Sequence, residues 1–187
     1  MRCKSAHDSY ISPGSLTLGD SFAGSDTTAV ALRTILYHLM KYPQASSKLQ
    51  AELDGAYSSG AASSPIKYSE AQKLPYLCAV IKEAMRLHPS VGLNMQRYAP
   101  AEGIELCGKT IPKGFRVGCN PAVVHYDKGV FGNDADNFRP ERWIEGDERA
   151  LERAMLIYGA GTRQCIGKNV SRPCVMRNLM QLKWSQH

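Results

Sequence analysis

No run of apolar residues in this chain approaches the roughly 18 that a bilayer-spanning helix needs. The first residues, Met1-Arg2-Cys3-Lys4-Ser5-Ala6-His7-Asp8, hold no apolar signal core, so neither an export signal nor an anchor is expected here. No cysteines are spaced C-x-x-C, and no His pair has zinc-ligand spacing, which argues against a zinc site. The six cysteines, at 3, 78, 107, 119, 165 and 174, are expected to be reduced thiols and, Cys165 excepted, small buried hydrophobes. Basic charge is never clustered. The net charge of +6 is spread along the chain, which favours a diffuse basic surface over nucleic-acid binding and suits an acidic protein partner. At 187 residues, 43% of them hydrophobic, the chain is long enough for one domain with one core. It has no internal repeat.

Hydrophobic periodicity predicts a long helix from about Thr17 to Lys41, with Leu18 and Phe22 four apart and Leu32, Ile35, Leu36, Leu39 and Met40 in a stripe. Pro43 suits the first turn of a second helix, running to about Leu53. Residues 55–65 read as a surface loop. A third helix is predicted from Pro75 to before Pro89, with Leu77, Val80, Ile81 and Ala84 as its stripe. Short strands follow around Cys107-Gly108 and Phe115-Arg116-Val117. From Asn120 to Gly146 periodicity is weak, and such stretches are usually functional or ordered by something else. A short helix over about 147–157 leads into a glycine-rich loop.

That loop is Tyr158-Gly159-Ala160-Gly161-Thr162-Arg163-Gln164-Cys165-Ile166-Gly167. Its glycines permit positive φ and close approach of the backbone to a flat ligand. The residues after Cys165 can open a helix, whose dipole, with Arg163 and Lys168, favours the metal-ligating thiolate. Arg163 suits an anionic group, and Tyr158 offers an aromatic wall. In the first helix, Ala23-Gly24-Ser25-Asp26-Thr27-Thr28 is poor helix-interior material. Either the helix starts here, with Ser25 or Asp26 as N-cap, or it passes over a cofactor, with Gly24 giving room and Asp26 and Thr27 handling protons. Glu83 and Arg86 are three apart on the third helix and, by sequence alone, form a surface pair worth under roughly 0.5 kcal/mol.

Together these segments resemble the cytochrome P-450 family. The cysteine loop matches its haem signature, an aromatic followed by G-x-G-x-R-x-C-x-G, with Tyr158 where Phe is more usual. Ala23–Thr28 matches its oxygen-activation motif, Glu83 and Arg86 its E-x-x-R pair, and Pro140-Glu141-Arg142-Trp143 its P-E-R-F/W segment, in the family's order. The resemblance implies a mainly α fold with small β-sheets, the C-terminal part of the family fold: long distal helix, E-x-x-R helix, meander and cysteine loop. It implies haem b held by Cys165 thiolate, a propionate contact from Arg163 and a weaker one from Arg97. It also implies Asp26 and Thr27 on the oxygen side, and a structural lock formed by Glu83, Arg86 and Arg142. His125 is expected at the surface rather than at the haem edge.

The implied activity is monooxygenation of an apolar small molecule, with O2 and electrons from an NADPH-dependent reductase. The alternatives are a non-catalytic haem-binding remnant and a reductase-independent haem-thiolate isomerase or lyase. The wording between motifs is most similar to fungal secondary-metabolism members of the pisatin demethylase group. Such proteins sit on the cytosolic face of the endoplasmic reticulum; without an anchor this chain is expected to be cytoplasmic. The resemblance covers about residues 12–171, and family members are much longer. The expectation is therefore a truncated or mis-spliced C-terminal portion of one domain, inactive alone, with atypical ends at 1–14 and 172–187. Pro173 in particular is expected to stop the helix after Cys165.

Overall fold

The computed structural model of the chain describes residues 13–181. Helix α1 spans Pro13–Lys41 and α2 spans Pro43–Ser58. Pro43 lies in the first turn of α2, where its missing N–H would have had no helical acceptor. α2 runs past Leu53 into the segment read as a loop, because Ala56 there packs into the core. A single turn, α3 (Tyr68–Ala71), precedes α4 (Pro75–Leu87). The carboxylate of Glu52 on α2 accepts from the backbone N–H groups of Tyr76 and Leu77, at 2.9 and 2.8 Å. It satisfies donors that a helix start leaves open, and puts negative charge at the positive end of the dipole. The same contact fixes α2 against α4.

α4 is buried nearly all round. Leu77, Val80 and Ala84 have no exposed surface, and they meet Ile35 and Leu39 of α1 and Leu49 and Leu53 of α2. Each such aliphatic side chain contributes about 1.5–3 kcal/mol on burial, so this three-helix contact is the main apolar support of the fold. Opposite, Ala79 faces a smaller cluster with Phe131, Ala135, Trp143 and Leu151.

Strand β1 (Met95–Tyr98) pairs antiparallel with β4 (Arg116–Cys119), and β2 (Ile104–Leu106) pairs with β3 (Lys109–Ile111) as a hairpin. The hairpin turns on Cys107 and Gly108, both at positive φ (51° and 72°), as a two-residue turn matched to strand twist requires. Then come α5 (Pro121–Val124), α6 (Lys128–Phe131), α7 (Arg142–Glu145) and α8 (Glu148–Ala154). A 3-10 turn at Gly161–Arg163 leads to α9 (Lys168–Gln181).

Two expectations fail here. Pro173 does not stop the last helix; α9 carries it internally and continues to Gln181. Val175, Met176, Leu179 and Met180 bury against the main core, and that burial outweighs the one backbone hydrogen bond proline removes. The cysteines are not small buried hydrophobes either. Cys107, Cys119, Cys165 and Cys174 are exposed and Cys78 is half-buried, while Cys3 lies outside the described residues, as do residues 1–12 and 182–187. Among the described residues no helix is long and apolar enough to cross a membrane.

Candidate functional site

Glu83 and Arg86, a surface pair when read from the sequence alone, have no exposed surface. Arg86 grips the carboxylate with both faces of its fork, Nε to Oε2 and Nη2 to Oε1, each at 2.9 Å. Arg142, from α7, adds Nε to Oε1 at 2.8 Å. Trp143 donates its indole N–H to Oε2 at 2.9 Å, and the backbone N–H of Arg139 donates to Oε1 at 3.0 Å. The carboxylate is therefore saturated, which is the condition for burying an ion without a large penalty.

The remaining guanidinium donors organise the aperiodic stretch. Arg86 donates to the carbonyls of His125 and Ala135, both at 2.7 Å, and of Asn137 at 3.2 Å. Arg142 donates to the carbonyls of Phe131 and Asp134 and to the Asp134 carboxylate. Burial alone would raise the Asp134 carboxyl, but the bond from Arg142 and the charges of Arg142 and Arg139 hold it below its usual range. A segment with little hydrophobic periodicity is thus ordered by two cations that collect its backbone carbonyls.

His125 is not at the surface. It is fully buried, with Nδ1 3.0 Å from the Arg86 carbonyl oxygen and Nε2 accepting from the Leu156 backbone N–H at 2.9 Å. The α4 turn carrying Arg86 and the turn carrying His125 close on each other through these bonds and through the Tyr126 hydroxyl, which donates to the Leu87 carbonyl at 2.8 Å, so buried main-chain groups on both sides are paired. Burial, joined by the Arg86 charge and opposed by the bond to the Arg86 carbonyl, pushes the imidazole down to about 4.

The chain then enters the cysteine loop. Gly159 N–H donates to the Leu156 carbonyl at 2.9 Å, and Cys165 N–H to the Tyr158 carbonyl at 2.8 Å, so the loop is closed on itself. Gly159 and Gly161 hold φ of 70° and 66°, which residues with a Cβ rarely adopt. A Cβ on Gly159 would lie 3.8 Å from Met95 Sδ, so β1 runs directly beside the loop. Arg97 follows Met95 by two residues on the same strand face and is exposed; its guanidinium donates to the Gln96 carbonyl. Arg163 is exposed on the 3-10 turn. The Tyr158 ring packs at the edge of the main core, with the Arg172 guanidinium 5.7 Å from its centre. Cys165 is a free, exposed thiol just before α9, and Gly167 leaves ordinary contact space beside its sulfur.

The Ala23–Thr28 motif lies inside α1, not at its start, so neither Ser25 nor Asp26 caps the helix. Ser25 and Thr27 turn their hydroxyls back to the carbonyls of Phe22 and Ala23, at 3.3 and 2.7 Å. Thr28 Oγ1 lies 3.5 Å from Ser171 Oγ of α9, and the Thr27 carbonyl accepts from Ser90 at 2.8 Å. α1 is thereby set across the helix that follows Cys165. Nothing lies within 4 Å of a Cβ built on Gly24, and Asp26 is exposed.

Haem iron would need a soft anionic donor, a flat apolar bed and cations at its edge. The free Cys165 sulfur supplies the first. Ile166, next to Cys165 in the chain, and Val170 in the first turn of α9 are 96% and 74% exposed, and Phe22 on α1 is 81% exposed, apolar surface of the kind that marks a ligand or interaction site. Arg97 and Arg163 hold no carboxylate partner among the described residues. The donor set fits the group. Glu83, Arg86 and Arg142 meet one another but stand behind the loop, joined to it through His125 and Leu156. Two contributors were given no role from the sequence, Trp143, named there only as the end of the P-E-R-F/W segment, and Asp134; His125 was expected at the surface and faces inward. Trp143 alone had a local signal, its place next to Arg142.

The sequence profile of the cytochrome P-450 family matches residues 17–182. A cytochrome P-450 monooxygenase of Alternaria alternata is 48% identical over 170 residues, covering 86% of this chain and 45% of that protein. One of Emericella nidulans is 48% identical over 151 residues, covering 80% and 30%. Pisatin demethylase of Fusarium vanettenii is 47% identical over 149 residues, covering 80% and 28%. The chain thus spans less than half the length of these curated relatives.

Proposed function

Because this chain belongs to the cytochrome P-450 family, we propose that it provides the haem-thiolate half of a monooxygenase. The observation that carries the reading is the free, exposed Cys165 thiol in a closed glycine loop, followed by a helix whose Ser171 meets Thr28 of the α1 motif. In this reading Cys165 Sγ is the iron ligand, and Gly159, Gly161 and Gly167 keep the backbone close without side chains in the way. Tyr158 stiffens the loop from the core side. Arg163, and more weakly Arg97, neutralise the haem carboxylates. When bound, haem b supplies the oxygen-activating chemistry, with O2 as co-substrate and electrons from an NADPH-dependent reductase.

The chain's own residues hold and protonate. Glu83, Arg86 and Arg142 fix the segment from which the cysteine loop is hung. Gly24 leaves room on α1. The Asp26 carboxylate is solvent-exposed and suited to pass protons inward, and the Thr27 hydroxyl, one residue on, would take them up from it. Thr27 currently donates to the Ala23 carbonyl, so its lone pairs stay free to accept. The substrate is a small apolar molecule. The likeness to pisatin demethylase supports oxidative demethylation as one outcome, and the fungal relatives support a role in secondary metabolism; a place on the cytosolic face of the endoplasmic reticulum rests on the family resemblance.

The test is the reduced carbon-monoxide complex of the haem-loaded protein. A strongly red-shifted Soret band that disappears in Cys165→Ser supports thiolate ligation by Cys165. Persistence of that band in Cys165→Ser overturns it.

A further inference from the structure

We propose that His125 is a positioning residue for the cysteine loop, holding Leu156 at the loop's entrance through an imidazole fixed in one neutral tautomer. In what concerns haem the proposal rests on the reading above. The tautomer follows from the partners alone. A carbonyl oxygen only accepts, so Nδ1, 3.0 Å from Arg86 O, must carry the proton. A backbone N–H only donates, so Nε2, 2.9 Å from Leu156 N, must be bare. The opposite tautomer would set a lone pair against the carbonyl and two N–H groups against each other. Both ring nitrogens are engaged, so neither is left to reach a ligand.

The ring is held in place by what surrounds it. Arg86 returns the contact, donating from Nη1 to the His125 carbonyl at 2.7 Å. Phe131 lies edge-on, 6.4 Å between ring centres. From Leu156 the bonding continues: its carbonyl takes the Gly159 N–H at 2.9 Å, and the Tyr158 carbonyl takes the Cys165 N–H at 2.8 Å. A bonded path therefore runs from the Glu83 carboxylate to the backbone of Cys165, and His125 is the step that crosses from α4 to the loop. Second-layer hydrogen bonds of this kind fix the orientation of a metal ligand without touching the metal.

The experiment uses the purified protein with and without haem. Nitrogen-15 NMR of labelled histidine should show His125 as the Nδ1–H tautomer. In His125→Asn the amide can still serve the Arg86 carbonyl but has no atom at the Nε2 position. Hydrogen-exchange protection of the Leu156 amide should then fall about tenfold, equivalent to a hydrogen bond worth about 1.4 kcal/mol, while protection in α2 stays unchanged. In the haem-loaded variant, a larger share of the carbon-monoxide complex should lose the thiolate Soret band. An Nε2–H tautomer, or unchanged Leu156 protection in His125→Asn, overturns the proposal. If that variant does not fold, the wild-type tautomer decides alone. Absence of the thiolate band in wild-type protein would overturn the haem reading, while the tautomer and exchange results would still decide the role of His125.

Discussion

Trp143 donates its indole N–H to Oε2 of Glu83 at 2.9 Å, and both side chains are buried. Among the described residues Oε2 has one other donor, Arg86 Nε, so the indole is half of what they supply to that oxygen. Trp143→Phe keeps an aromatic ring against Phe131 and removes the donor. A hydrogen bond to a charged group is worth about 1.5–3 kcal/mol, and urea unfolding of this variant should show at least the lower figure. A loss near zero would mean that Arg86 alone suffices for Oε2.

Glu83→Ala should be far more damaging than loss of an exposed ion pair. It strands two buried guanidinium groups, at a cost of about 3–5 kcal/mol. Lys48 pairs with Glu141 at 2.5 Å but is 57% exposed, and Lys48→Ala should cost under about 1 kcal/mol. Denaturant melts of the two variants side by side check the contrast, and haem content should fall only in Glu83→Ala.

In a reductase-supported holoenzyme of the relatives' full length, Thr27→Ala should leave haem occupancy intact and divert reducing equivalents from product to peroxide or water. Asp26→Asn should slow turnover without that diversion. The ratio of product formed to reductant consumed distinguishes them. An unchanged ratio in Thr27→Ala, with unchanged turnover in Asp26→Asn, would assign both residues to the helix alone.

Acid should weaken the fold in two separable windows. The folded state holds the His125 imidazole at about 4, against 6.5 ordinarily. Between those values the unfolded chain binds a proton that the folded chain does not, so stability falls as pH drops from 6.5 to about 4 and then levels. His38, lowered mainly by burial, acts in the same direction below 6.5. Glu70 is lowered from 4.5 to about 2 by bonds from the Ser63 backbone and hydroxyl, so its contribution is lost as pH falls through that lower range. Melting temperature against pH should show both, and His125→Phe should flatten only the upper window.

The α4 stripe of Leu77, Val80 and Ala84 was legible because apolar periodicity reports burial directly, and Pro43 and Pro75 marked helix starts through their missing N–H groups. The motifs around Cys165 and Asp26 were legible as residue types at fixed spacing. The burial of Glu83 and Arg86 was not, since their wheel positions lie off that stripe and six of the bonds that Arg86 and Arg142 make go to backbone carbonyls between 125 and 137. Carbonyls carry no sequence signal. His125 was misread for the same reason: both its partners are main-chain groups. Pro173 misled because local propensity says nothing of the core that Val175 and Leu179 reach.

The saturated carboxylate of Glu83 also restricts how this sequence can drift. An apolar plug of similar volume in place of all three charged side chains could be as stable as the network, or more so. No succession of single substitutions leads there without passing through a chain that carries an unmatched buried ion. Each intermediate gives up several kcal/mol out of a total stability of about 5–15 kcal/mol for a typical domain. The three positions are therefore kept as a set by the depth of the valley around them, whatever the merit of the alternative on the far side.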